Sequence, residues 1–251
     1  MMIYIESSRR DTTMSAYETN ELLTTPAAVA DPAVERAFIT RVYGWMAIAL
    51  AITGLVATAT ATDPALIAWI LDVPFGLLGI VVLQLVLVVV LTAAIGRLNA
   101  GVATGLFIAY AALTGFTFST LFYIYTAESI GVVFFITAGT FALVSLYGFT
   151  TKTDLTRVGN LAFMGLIGIL FASLVNLFLR NEAIYWIITY IGVLVFVGLI
   201  ASKTQQLKRM AHGLSDDGEL RSKASVVGAL SLYLSFINLF LSLLRIFGKR
   251  R

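Results

Sequence analysis

Seven stretches without one charged residue divide this chain: 42–62, 73–96, 98–127, 129–151, 158–179, 183–202 and 224–244. Each is about as long as the roughly 20 apolar residues that carry a helix across a bilayer. None shows the apolar–polar alternation over about ten residues that a barrel strand needs. The charged residues are confined to the connectors between these stretches. They amount to 12% of the chain, about half the share of a typical soluble domain, which is roughly 25%. With 59% hydrophobic residues and a mean hydropathy of +0.92, too little polar surface exists to coat a water-soluble globule. The expected fold is all-α: a polytopic membrane protein built as a seven-transmembrane-helix bundle.

Residues 36–251 form the expected bundle. Residues 1–35 are polar, rich in Thr, Ser and Glu, and carry Pro26 and Pro32, so they are expected to be a disordered tail. No apolar signal core precedes Arg41, and the first span is expected to act as an uncleaved insertion signal. The other connectors are short, apart from 203–223, so consecutive helices should be antiparallel neighbours. With seven spans and a cytoplasmic N-terminus, twelve of the 17 Lys and Arg residues fall on the inside and five on the outside. That bias predicts a cytoplasmic N-terminus. It also places the basic tail, Lys249, Arg250 and Arg251, outside. A re-entrant last segment would instead return the tail to the cytoplasm; seven full spans are the preferred reading.

Several chemistries find no support in the residues. There is no Cys, and the lone His212 sits in a charged connector, where it reads as a loop residue. Asp216, Asp217 and Glu219 lack calcium-loop spacing and read as a solvated turn. No nucleophile–base set, phosphate loop or metal motif occurs. No enzymatic activity and no cofactor are expected, and the basic residues mark topology rather than a nucleic-acid face.

Polar side chains inside a span are costly unless paired, so they mark the places to look for function. In the last span Ser231, Ser235, Asn238, Ser242 and Arg245 recur at intervals of 4, 3, 4 and 3, which puts them on one helix face. This seam reads either as hydrogen-bonding glue between helices or as the lining of a polar track. Arg245 could snorkel to the headgroups or pair across the bundle. Gln84 is a lone amide in the middle of the second span and wants a partner. Tyr110, Thr114 and Thr117 share a face of the third. Gly101 and Gly105 form a small-xxx-small pair suited to close helix packing.

The closing span, Leu232 to Gly248, resembles the signature of the Bax inhibitor-1 (TMBIM) family. Three further segments resemble that family: Arg41-Val42-Tyr43-Gly44-Trp45-Met46, the connector from Phe149 to Leu155, and Lys203-Thr204-Gln205-Gln206-Leu207-Lys208. Together the resemblance runs from about Glu35 to the C-terminus. It implies a bundle whose last helix lies centrally, and a pH-sensitive calcium leak channel; the short connectors, absent Cys and compact size suit a bacterial inner membrane. The resemblance also implies proton-sensing aspartates on the last two spans, and an acid on the second span that latches to the arginine of the closing motif. Some bacterial relatives instead modulate a membrane protease. The implied partners are therefore membrane lipid, calcium or other cations, and a membrane protease.

This chain departs from the implied pattern at each acid. Lys203 and Ser235 stand at the two aspartate positions and Gln84 at the second-span acid, while Arg245 is kept. The proton-sensor and pore candidates are thus Gln84, Lys203, Ser235, Asn238 and Arg245, with no metal ligand among them. Without a carboxylate pair the site can neither share a proton nor attract a divalent cation. Lys203 is expected either to occupy the cation's place, hydrogen-bonded to Ser235 or Gln84, or to snorkel to the interface. The functional expectation is a calcium or cation leak impaired by these losses, or a non-conducting modulator of a protease or quality-control partner.

Overall fold

The computed structural model describes residues 32–63, 65–68, 76–213 and 218–251. Most of the expected tail, and Asp216 and Asp217, lie outside them. Seven helices among the described residues are long and apolar enough to cross a membrane. They are α1 (Pro32–Ala61), α2 (Gly76–Ala93), α3 (Ala100–Phe118), α4 (Ala127–Thr150), α5 (Thr156–Leu179), α6 (Glu182–Gly213) and α7 (Gly218–Phe247). A single helical turn, Leu121–Ile124, continues α3 after a break. The protein is a multi-pass integral membrane protein.

Four of the helices, α1, α3, α4 and α6, start where the sequence supplies a favourable first residue or cap. Pro32 opens α1, where its missing N–H costs nothing, and Glu35 follows in the first turn. Asn99 caps α3 by accepting from the Val102 N–H at 2.8 Å. Thr126 caps α4 through Ser129, and Asn181 caps α6 through Ile184 at 3.1 Å. Apart from the seam of α7 and scattered polar residues such as Gln84 and Thr114, the side chains between these ends are apolar, as a span demands. Their outward positions are large and bare: Phe178 is 79% exposed, Phe135 75% and Leu194 73%. In water that surface would aggregate; here it meets lipid.

The last helix is the core. In the span window of α7, 72% of residues are buried, against 6% in α2 and α5. Helices α1, α3, α4 and α6 surround it, while α2 packs on α3 and α5 on α6 at the periphery. Tyr233, Phe236, Leu232, Leu239 and Leu244 of α7 are all fully buried. At 30 residues, α7 is about 45 Å long. It is one unbroken helix, long enough for the full last span of the preferred reading, and the tail emerges at the end of the bundle opposite the α6–α7 connection. There the Lys249 carbonyl accepts from the Thr126 N–H at 3.1 Å, and the Arg251 N–H donates to the Ile124 carbonyl at 3.0 Å.

Close helix approach is set by glycines other than the expected pair. Gly105 has open space at its Cα, and Gly101 meets only Asn99. Both residues are exposed, so neither makes a close helix crossing among the described residues. The tight crossings are at Gly115, against the α1 backbone, and at Gly148, against the Ala201 carbonyl of α6. A Cβ at Gly115 would stand 2.5 Å from the Thr53 carbonyl oxygen. We expect Gly115→Ala to cost about 1–3 kcal/mol by forcing α1 and α3 apart. Thermal unfolding in detergent measures it; an unchanged midpoint would contradict the crossing.

Helices α1, α6 and α7 run past the charge-free windows for one reason. Charge-free length reports hydrocarbon thickness, not helix length. Helix α6 runs eleven residues past Ser202, to Gly213, so the long connector is mostly helix. His212 is therefore helical rather than in a loop; its side chain lies outside the described residues.

Candidate functional site along the last helix

The seam faces α6. Gly228 meets the Leu207 side chain, Ser242 packs on Gly192, and the Arg245 guanidinium lies 5.5 Å from the centre of the Tyr185 ring. Rising residue numbers on α7 thus pair with falling numbers on α6, as antiparallel neighbours require. The polar side chains between these points turn back onto their own helix. The Ser235 hydroxyl donates to the Ser231 carbonyl at 3.0 Å, the Asn238 amide to Leu234 at 2.8 Å, and the Ser242 hydroxyl to Asn238 at 2.9 Å. Bonding to the carbonyl one turn back satisfies a hydroxyl without water or a partner helix. Ser235 and Ser242 are buried.

Cavities lie at the two ends of the seam. One, of about 410 Å³, is lined by Lys203, Gln206, Lys223 and Ser231 among others. The other, of about 510 Å³, is lined by Arg180, Glu182, Tyr185, Arg245 and Arg250 among others. Ser231 and Arg245 are 14 residues apart, about 21 Å along the helix. Buried Ser235 and Ser242 fill that interval.

The five candidate residues do not form one site. Lys203 donates to Gln206 of its own helix at 3.4 Å, not to Ser235 or Gln84. The α6–α7 register places it in the cavity beside Ser231, one turn short of Ser235. Gln84 is away from the seam altogether: its amide points to Thr114 and Thr117 of α3, at 3.3 and 3.5 Å. It ties peripheral α2 to the bundle. Arg245 has an aromatic ring and no acid.

Two polar assemblies were not anticipated. The first centres on Tyr233, whose hydroxyl is 2.7 Å from that of Thr53 on α1. Thr53 also lies 2.9 Å from the Ala49 and Ala111 carbonyls. Carbonyls only accept, so Thr53 donates to one of them and Tyr233 donates to Thr53. The Tyr233 ring meets Phe107 and Tyr110 edge-on, with centroids at 5.8 and 5.9 Å. One side chain so joins α7, α1 and α3. A phenol in mid-span, two residues from the seam, was the available signal.

The second assembly joins two segments that the sequence keeps 48 residues apart, 149–155 and 203–209. Gln205, buried in α6, accepts from the Leu155 N–H at 2.9 Å and donates to the Thr153 carbonyl at 2.8 Å. Lys208 donates to the Phe149 carbonyl at 3.0 Å and lies over its ring. Arg209 pairs with Asp154 at 2.8 Å. The Thr156 hydroxyl, then the Thr156 N–H, then Arg209 hold the Asp154 carboxyl well below the usual carboxylate range. A depressed carboxyl stabilises the fold above its unfolded value, near 4, and loses that effect only as pH falls further. The clamp therefore stays charged throughout mildly acidic conditions.

Both clamp segments, and the seam helix, are segments whose sequence resembles the Bax inhibitor-1 family. The family model described as inhibitor of apoptosis-promoting Bax1 matches residues 35–251. The inner membrane protein YbhL of Escherichia coli K12 is 52% identical over 216 residues, covering 85% of this chain and 92% of YbhL. An uncharacterized protein of Deinococcus radiodurans is 44% identical, covering 86% of this chain and 91% of its own length. One from Caulobacter vibrioides is 39% identical over 237 residues, covering 90% and 95%. Matches of this extent take in every span, and the chain belongs to the Bax inhibitor-1 family.

Proposed function

We propose that the protein is a Bax inhibitor-1-type leak element of a bacterial inner membrane, N-terminus in the cytoplasm, whose cation pathway is shut and lacks an acidic titration step. The observation that carries this reading is the charge of the two cavities at the ends of the seam. Lys203 and Lys223 line one, Lys223 being paired with Glu219 at 3.0 Å so that Lys203 carries the excess charge; Arg180, Arg245 and Arg250 line the other, with Glu182 the one acid side chain in either lining. Calcium is held by oxygen ligands, carboxylates above all. Fixed ammonium and guanidinium groups at both mouths repel it instead. Between them Ser235 and Ser242 are buried and hold their hydroxyls against their own helix, which leaves no open track between the two cavities. The inner membrane and orientation rest on the YbhL likeness and on the Lys/Arg bias.

The test is calcium entry into proteoliposomes across about pH 6 to 8, the range in which a coupled carboxylate pair in a family sensor would titrate. The protein is expected to show little flux and no step. A calcium flux with a clear titration step would contradict the proposal.

A second reading, a non-conducting modulator of a membrane protease, is favoured by the periphery. Helix α5 packs on α6 and presents Phe163, Met164, Phe171 and Phe178 outward. A co-purifying membrane protein lost on replacing Phe171 and Phe178 by alanine would support it.

A further inference from the structure

We propose that the cavity at the C-terminal end of the bundle is a binding site for a phosphate-bearing anion. Three guanidiniums from three separate segments line it: Arg180 from the α5–α6 turn, Arg245 from the end of α7, and Arg250 from the tail. Glu182 is the single carboxylate side chain of the lining. Among the described residues none of the three arginines takes part in an ion pair. Arg245 leans on the Tyr185 ring rather than on an acid. Three positive charges thus face one carboxylate at one place, a net excess that attracts an anion.

The segments that carry these charges are fixed. Arg180 has a left-handed backbone, φ 49°, unusual for a residue with a Cβ. Asn176 holds it there, its carbonyl accepting from the Arg180 N–H at 2.8 Å and its side chain from the Asn181 N–H at 3.0 Å. The tail is strapped across the bundle end. Besides its two backbone bonds, the Lys249 N–H donates to the Ser129 hydroxyl at 2.8 Å. Both devices act on the residues flanking the cavity and cost chain entropy to maintain. Planar guanidiniums grip phosphate oxygens two at a time, which favours phosphate over a halide. At about 510 Å³ the cavity has room for a phosphate with its glycerol attached. Tyr185 and Trp186 wall it at the level where aromatic side chains meet headgroups. The source is either a lipid phosphodiester or free phosphate. The inference does not depend on whether the seam conducts.

The experiment uses the full chain in a neutral detergent and reads the thermal unfolding midpoint. One arm titrates inorganic phosphate against chloride at matched ionic strength. The other titrates phosphatidylglycerol against phosphatidylcholine in mixed micelles. A saturable rise with inorganic phosphate identifies free phosphate as a source; a rise with phosphatidylglycerol alone identifies the lipid headgroup. The variant Arg180→Asn/Arg250→Gln removes two charges at exposed positions, and Asn tolerates the left-handed backbone. It should raise the half-saturating concentration by about tenfold or more. Arg250→Lys, which keeps the charge, should respond between the two. No saturable response in either arm overturns the proposal. So does a response that the double variant leaves unchanged.

Discussion

Lys203→Asp/Ser235→Asp is expected to turn the protein into a pH-dependent calcium conductor. The change at the Lys203 mouth is twofold: a repelling ammonium goes and a carboxylate arrives. Ser235 lies one turn deeper on the opposing helix, in a buried position. A carboxylate there bonds poorly to its own backbone carbonyl, which only accepts, so the intrahelical plug at Ser235 is released. Two carboxylates close together in a low-dielectric site cannot both ionise freely, and one pKa is driven up. Protonated, the pair closes the path; ionised, it draws calcium. The expected record is low flux near pH 6 and raised flux near pH 8, with the step absent from the unaltered chain. Lys203→Gln removes the repulsion without adding an acid and should show no step. A folded double variant whose flux matches the unaltered chain at every pH would sink the assignment of these positions.

The second large effect is on stability. Gln205→Ala should lower the unfolding midpoint by about 6–12 °C. The side chain is 7% exposed and serves the Leu155 N–H and the Thr153 carbonyl together. Removing it strands two backbone groups, at about 1–3 kcal/mol for each that stays dry. A loss of about 3 kcal/mol moves the midpoint of a chain this size by the amount stated. Arg209→Ala, whose pair with Asp154 is solvent-exposed, should move it far less. Equal shifts for the two variants would show that the clamp rests on charge rather than on the amide.

The seven spans were legible because the bilayer imposes length and excludes charge, and both constraints act on a single helix at a time. The seam was legible for the same reason: its spacing of 4, 3, 4 and 3 is a property of α7 alone. Partnership was not. Lys203 was expected either against Ser235 or Gln84 or at the interface; the register set by Gly192 against Ser242 and Gly228 against Leu207 puts it beside Ser231 and away from the first two. Axial register depends on which small residues meet across two helices, and no periodicity within one helix carries it. Gln84 found threonines rather than the seam because α2 lies outside the ring around α7. Tyr233 stands on a different face of α7 from the seam, and nothing in the spacing of α7 alone marks it as the contact to α1 and α3. The clamp was half legible: both segments stood out in the sequence, but that Gln205 bonds the backbone of 153–155 required the fold.

The claim that ties these observations together is that the seam is closed between its two cavities. The chain has no cysteine, so single cysteines can be placed at Ser231, Ser235 and Ser242 without background. A membrane-impermeant thiol reagent should modify Ser231→Cys from the side of its cavity and leave Ser235→Cys and Ser242→Cys unmodified from either side. Modification of all three at comparable rates would mean a continuous water-filled path along α7, and would contradict the account.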